Sequence, residues 1–169
     1  AFAVGTLGYR PTTILNNYQM SFTRAGEVSD AFLTAVQGGL TTVDELGNAV
    51  GEVAAGAKTA GISMEELIGS LGTAATLTRD TAGATAGLKA VMQGIAHPTA
   101  EAAADAAKLG IKFNSTELRA KGFVGFLKEI TSSGKYSANT MSQLFGSGEA
   151  VNFMAALAAD NMSALSGMM

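Results

Sequence analysis

The chain has 169 residues, of which 47% are hydrophobic but only 7% aromatic, and it contains 21 glycines, 2 prolines and no tryptophan. This composition suits helices that pack closely through small side chains, and it argues against a broad β-sandwich, whose strands favour β-branched and aromatic residues. A net charge of −3 without a clustered basic face argues against duplex binding, and the lack of cysteine excludes disulfides and thiolate metal sites.

From Pro11 onward, apolar residues recur at helical spacing, namely Ile14, Leu15, Tyr18 and Phe22. Proline suits the first turn of a helix, so the first helix is predicted from Pro11 to about Phe22. A second apolar stripe predicts a helix over 28–36, which the pair Gly38 and Gly39 ends. The first ten residues, with two glycines, are predicted to be irregular.

Two neighbouring segments carry the same pattern for starting a helix. Thr42 is followed three residues later by Glu45, and Ser63 is followed in the same way by Glu66. In such a capping box the hydroxyl and the carboxylate each accept a hydrogen bond from a backbone N–H group at the helix start. The stripes behind these caps predict one helix from 43 to a stop at Gly61 and another over 64–75.

The second half of the chain repeats short apolar stripes between breaks. Helices are predicted over 84–95, 99–109, 117–130, 140–145 and 149–165, with loops at 111–116 and 132–139. Pro98 is predicted at the first position of the 99–109 helix, because its fixed φ suits that place. Gly110 is predicted to end that helix in a left-handed conformation.

Nine apolar stripes are helix candidates, and the fold predicted from them is all-α, with seven or eight short helices, glycine-marked turns, helix-hairpin packing and no strand. Three parts are predicted. Residues 1–24 form an irregular segment and a first helix and belong to a longer chain, since the sequence lacks an initiator Met. Residues 25–113 form a core helical domain, and 114–169 are apolar, methionine-rich C-terminal helices.

No catalytic, cofactor-binding or metal-binding residue is predicted, and the chain is expected not to be an enzyme. His97 is the only histidine and precedes a proline at a helix boundary, so it cannot build the usual zinc site alone. The acidic pairs Asp44-Glu45 and Glu65-Glu66 fall in first helical turns, where the helix dipole favours negative charge. A muramidase would instead need two carboxylates that face one groove.

Glycine-rich stretches give weaker signals. The segment GSGEA at 146–150 lacks the lysine and the preceding strand of a P-loop and is interpreted as a helix cap. Gly47 and Gly51, and likewise Gly83 and Gly87, have the spacing of closely packed helix pairs, a pattern that arises easily by chance in a glycine-rich chain.

The region after Glu149 is too apolar to stand in water alone. It needs a partner helix, another copy of the chain or a membrane to cover it. The sequence has no uncharged, strongly apolar run of about 18 residues, so a constitutive transmembrane helix is not expected.

Six segments, in order, carry a family resemblance: EVSDAF (27–32), GLTTVDELG (39–47), AKTAGISMEEL (57–67), ATAGLKAVM (84–92), PTAEAAADAAKLGI (98–111) and LFGSGEAVNFMAAL (144–157). Together they resemble the core region of bacteriophage tail tape measure proteins, the phage-related minor tail protein family. The resemblance spans roughly residues 25–160, and residues 1–24 match less clearly.

The resemblance implies a structural virion component, a helical chain inside the tail whose length sets tail length because tube subunits polymerise around it. It implies a place in the tail lumen or tip, in the host cytoplasm during assembly, and at the host envelope on infection, when release assists genome ejection. The implied partners are other copies in three- or six-fold arrangement, tail tube and tail-tip or baseplate hub proteins, and the host membrane.

No sequence-specific nucleic acid and no cofactor are expected among the partners. The alternative is a membrane-active helical module, a pore or channel former that acts in DNA delivery. Its inserting element would be the apolar region 140–169.

Overall fold

A computed structural model of the chain describes residues 10–37, 41–132 and 137–159, and it folds these residues into ten α-helices and no strand. The predicted all-α class is therefore confirmed. The helices are α1 (Arg10–Tyr18), α2 (Ala25–Val36), α3 (Val43–Ala60), α4 (Met64–Thr78), α5 (Thr81–Ala96), α6 (Ala100–Lys108), α7 (Ser115–Lys121), α8 (Phe123–Ser132), α9 (Ala138–Phe145) and α10 (Gly148–Ala159).

The helix count exceeds the predicted seven or eight partly because the segment 117–130 is not one helix. It divides into α7 and α8 at Gly122, whose φ of +72° lies in the left-handed region. Glycine adopts this conformation without the steric cost that a Cβ would bring. The uniform apolar stripe concealed the break, because α8 begins at Phe123 with no change in composition.

Two other predicted boundaries are wrong. Pro98 does not occupy the first helical position, since Thr99 is the N-cap and its hydroxyl accepts a hydrogen bond from the Ala102 N–H at 3.0 Å. The first helix ends at Tyr18, before Phe22, because Gln19 has a φ of +54° that a helix cannot continue. The chain then makes a 3₁₀ turn before α2.

Both predicted capping boxes are confirmed. The Glu45 N–H donates to the Thr42 hydroxyl and the Glu66 N–H donates to the Ser63 hydroxyl, each over 3.1 Å. Each glutamate side chain in turn accepts from the backbone N–H of its N-cap residue. The glycine stops behave as predicted as well, with φ of +88° at Gly61 and +75° at Gly110.

Helices α3, α4 and α5 form the centre of the structure. The short connections 61–63 and 79–80 make α4 run opposite to both neighbours. Helix α1 packs on α3, α2 packs on α4, and α10 covers α5 and part of α4. Helix α9 packs against α6 and α10.

One cluster of buried side chains runs through the whole described fold. It includes Ile14 from α1, Leu67 from α4, Phe126 from α8 and Leu157 from α10. Apolar burial of this extent supplies the main favourable term in folding. The cluster draws on all three predicted parts, and the division at 24/25 and 113/114 stays a prediction.

Several predictions concern residues outside those that the structure describes. They are the irregular start at 1–9, the stop at Gly38 and Gly39, the loop at 133–136 and the end of the last helix beyond Ala159.

Candidate functional site

The α3–α4 junction, residues 57–67, is the point where three side chains and one backbone N–H group from other parts of the chain meet. Locally it is a helix end, a turn and a helix start. Gly61 closes α3 in the left-handed conformation, and Ser63 and Glu66 form the cap of α4. The turn leaves the carbonyl groups of the last residues of α3 and of Ile62 available to outside donors.

Tyr18 ties α1 to this turn. Its hydroxyl donates a hydrogen bond to the Ile62 carbonyl over 3.1 Å. Burial raises the pKa of the Tyr18 hydroxyl above its usual value, and the carboxylates of Glu65 and Glu66 raise it further. Tyr18 therefore stays a neutral donor throughout the physiological pH range.

Two arginines also reach the junction. Arg24 lies between two carboxylates, with its Nε 2.6 Å from Glu27 and its Nη2 3.2 Å from Glu65. Arg119 of α7 donates to the Thr59 carbonyl near the end of α3. The side chains in both ion pairs of Arg24 are substantially exposed. Exposed ion pairs add little to the free energy of unfolding, so these two mainly position Arg24.

Glu66 serves two helix starts at once. Its Oε2 accepts from the Ser63 N–H over 3.1 Å, which completes the cap of α4. Its Oε1 accepts from the Val124 N–H over 3.1 Å, and this N–H lies in the first turn of α8. Gly122 leaves room for this approach, because a Cβ there would lie only 3.1 Å from Oε1. One carboxylate thereby fixes α8 against α4.

A second region, the α5–α10 crossing, is built by shape instead. A methyl group added to Gly87 would lie 2.5 Å from the Glu149 carbonyl oxygen and 2.6 Å from the Phe153 Cβ. A methyl group added to Gly94 would lie 3.0 Å from the Phe145 ring. The two glycines let the backbones of α9 and α10 approach α5 closely, and Phe153 is fully buried there.

A third feature is an open groove between α3 and α5, on the face away from α4. It consists of two depressions of about 760 and 440 Å³ that share Glu52. Glu52 forms an ion pair with Lys89 across the groove. Beyond this pair the wider depression is lined mainly by small side chains and Met92, together with Gln93, His97 and Arg119. The narrower depression is more polar, because Glu45, Asn48, Arg79 and Asp80 line it beside alanine and threonine.

The structure places the sequence-predicted polar residues at helix ends. His97 is exposed at the C-terminal end of α5 and lines the wider depression. Glu45 and Glu66 complete capping boxes, and Glu65 pairs with Arg24. Ser147 accepts from the Ala150 N–H at 3.3 Å, so GSGEA is a helix cap as predicted.

The described residues contain no group of three or more His, Cys, Asp or Glu that could hold a metal ion. Within the same ranges, no helix has the length and apolar character needed to cross a bilayer. Of the glycine pairs, Gly87 lies at a close helix crossing, while nothing lies within 4 Å of a Cβ placed on Gly51.

Sequence reasoning missed the long-range donors to the junction. Tyr18 was predicted only as part of an apolar stripe, and Arg24 and Arg119 gave no sequence signal, because their acceptors lie far away along the chain. The clue for Glu66 was the lone Gly122, whose position inside an apolar helical pattern indicated a break or a close approach.

The fold and the junction together define a class: an all-helical protein in which acidic side chains in the first turns of helices cap those helices and bind neighbouring elements. A model of the phage-related minor tail protein family matches residues 11–146, most of the chain. The chain belongs to the phage-related minor tail protein family and is a structural component of a phage tail. Comparison with curated proteins gave no match, nor did comparison with solved structures.

Proposed function

We propose that this chain is a segment of a tail tape measure protein, a structural and not a catalytic component that sets tail length. The observation that carries the proposal is the family match over residues 11–146, which contains five of the six segments of the tape measure resemblance in full. In this proposal the segment occupies the tail lumen or tip, is present in three or six copies about the tail axis, and contacts the tube and the tip or baseplate hub.

The fold bears on how such a segment would measure length. A continuous helix of 169 residues would span about 250 Å. The longest described helix, α3, has 18 residues and spans only about 27 Å. The segment therefore contributes its full length only if it opens out inside the tube, and much less if it stays folded at the tip.

The test is an in-frame deletion and an in-frame duplication of the segment in the parent gene, with tail length measured by electron microscopy. Tails should shorten with the deletion and lengthen with the duplication, by up to about 250 Å. A matched control is Gly87→Ala, which weakens the fold but keeps the residue number, so tail length should not change. Tails of unchanged length in both the deletion and the duplication would refute the proposal.

We further propose that the tail is assembled in the host cytoplasm. At infection the chain then leaves the tail and reaches the host envelope, where it assists genome ejection. A second candidate, a membrane-active module, is favoured by one observation. Helix α10 carries an apolar face, with Phe153, Met154 and Leu157 buried against the rest of the fold. Lipid could meet this face only after α10 leaves α5.

The second candidate is tested by leakage of dye from liposomes. Gly87→Ala loosens the α5–α10 crossing and should raise leakage by the whole chain if α10 inserts. The peptide 140–169 should likewise cause dye to leak from the liposomes. Failure of both at every pH tested would leave the tape measure role as the sole proposal.

A further inference from the structure

The groove between α3 and α5 has a direction, because the two helices that form it are parallel. Glu52 pairs with Lys89, and a Cβ on Gly56 would lie 3.8 Å from the end of Met92. Contacts that advance in the same order along both helices require parallel axes. The groove therefore has both helix N-termini at one end and both C-termini at the other.

The groove is long enough for one further helix. Its lining runs from Glu45 and Thr81 at one end to Ala60 and His97 at the other, which is nearly the whole of α3, about 27 Å. On the opposite face of the same helix pair, α4 already packs against both α3 and α5 and runs antiparallel to them. The other face has small residues along much of its floor, and α7 borders it at the end with the C-termini, where Ser115 and Arg119 form part of the lining.

Charge differs between the two ends. Apart from the Glu52–Lys89 pair, the end with the helix N-termini carries Glu45 and Asp80 against Arg79. The end with the C-termini carries Arg119, with His97 beside it. One end therefore has an excess of negative side chains and the other an excess of positive ones.

This pattern selects both the orientation and the chemistry of an occupant. Helices favour acidic residues in the first turn and basic residues in the last. An antiparallel helix would set its basic last turn beside Glu45 and Asp80, and its acidic first turn beside Arg119. Its macrodipole would also oppose those of α3 and α5.

We propose that the α3–α5 groove is a docking site for one antiparallel amphipathic helix of a partner protein, with an acidic first turn and a basic last turn. The recognition mode is a helix laid in a groove, with its apolar stripe against the small residues of the floor. The inference does not depend on the tape measure role.

The test uses the 169-residue chain and a fluorescein-labelled Ala/Leu-based helical peptide of 18 residues, the length of α3, with Glu in its first turn and Lys in its last. Fluorescence polarisation should show saturable binding. A peptide with the end charges exchanged should bind roughly threefold more weakly at low salt, and this difference should shrink at high salt.

A blocking variant and a matched control locate the binding. Gly56→Gln places a long side chain in the groove and should weaken binding by roughly tenfold or more. Gly51→Gln makes the same change on the same helix, outside the residues that line the groove, where no atom lies within 4 Å of the new Cβ. It should leave binding unchanged. Thermal unfolding of both variants verifies that each is folded.

The proposal is overturned if no saturable binding occurs, or if Gly56→Gln binds as tightly as the wild type. It is also overturned if the chain dimerises in a way that Gly56→Gln abolishes, because a second copy would then be the occupant.

Discussion

The α3–α4 junction and the α5–α10 crossing hold the same fold together by opposite means. At the junction, polar groups meet at defined distances, as in the two hydrogen bonds of Glu66, both 3.1 Å long. At the crossing, backbones meet because Gly87 has no side chain and the Phe153 Cβ and the Glu149 carbonyl fill that place. The junction depends on hydrogen-bond geometry, whereas the crossing depends on volume.

The two means respond differently to change. A hydrogen bond contributes a net 0.5–1.5 kcal/mol, roughly, because folding replaces bonds to water. A backbone contact without spare volume tolerates no added atom, since protein interiors are packed as densely as organic crystals. The crossing should therefore be the more sensitive to a single methyl group, and the junction the more sensitive to a change of acceptor.

Gly87→Ala should have the largest effect. The new methyl group would lie 2.5 Å from the Glu149 carbonyl oxygen, so α10 must move away from α5. We expect the free energy of unfolding to fall by about 2–3 kcal/mol, the upper part of the range typical of overpacking. Urea denaturation followed by circular dichroism measures the loss.

The control is Gly51→Ala, the same substitution at a helical glycine whose Cβ position has no neighbour within 4 Å. It should raise stability by about 0.5–1 kcal/mol, because alanine is the better helix former. If both substitutions stabilise the chain, α10 does not pack on α5 in solution.

Glu66→Gln should have the next largest effect, and Glu45→Gln is its matched control. Both glutamates complete capping boxes, but Glu66 uses one oxygen for Ser63 and the other for Val124. Glutamine keeps only one acceptor oxygen, so one of these N–H groups faces an NH₂ group. We expect a loss of about 1–2 kcal/mol.

At Glu45 the same Oε2 accepts from both the N–H and the hydroxyl of Thr42, so a glutamine can keep both bonds. The loss of stability in Glu45→Gln should stay below about 0.5 kcal/mol, and it should come mostly from the weaker interaction of the neutral side chain with the helix dipole. Equal losses in the two variants would show that the bond from Val124 to Glu66 contributes nothing.

The sequence predicts the junction better than it predicts the crossing, and the reason is chain distance. Ser63 and Glu66 are three residues apart, so their pattern is local and the chemistry of capping fixes its meaning. The Val124 bond to Glu66 joins residues 58 positions apart, and nothing near either residue announces the other. Local patterns therefore give the helix ends, and only packing gives the partners.

The crossing shows the same limit for small residues. Gly83 and Gly87 have the spacing of a closely packed helix pair, yet only Gly87 meets α10. The Gly83 N–H donates to the Asp80 side chain and so belongs to the cap of α5. The pattern could not separate these roles, because both need the same residue type.

For the groove, the sequence shows neither the parallel run of α3 and α5 nor the charge difference between its ends.

Apart from the control substitutions, Tyr18→Phe should have the smallest effect on stability at neutral pH, and it should have a distinctive effect at high pH. It removes the hydrogen bond to the Ile62 carbonyl and should cost about 1 kcal/mol at pH 7. Burial, then Glu65 and Glu66, raise the pKa of Tyr18 in the folded chain, whereas the unfolded chain ionises near pH 10.

The sign of the pH effect follows from this difference in proton binding. Above about pH 10 the unfolded chain releases the Tyr18 proton while the folded chain retains it, so the wild type loses stability relative to Tyr18→Phe, which has no proton to release. Urea denaturation of both chains at pH 7 and above pH 10 measures the difference, and all other titrating groups cancel between them. The wild-type advantage should shrink and then reverse as pH rises. A difference that stayed constant with pH would mean that the Tyr18 hydroxyl is as solvated in the folded chain as in the unfolded one, and that α1 is not held at the junction.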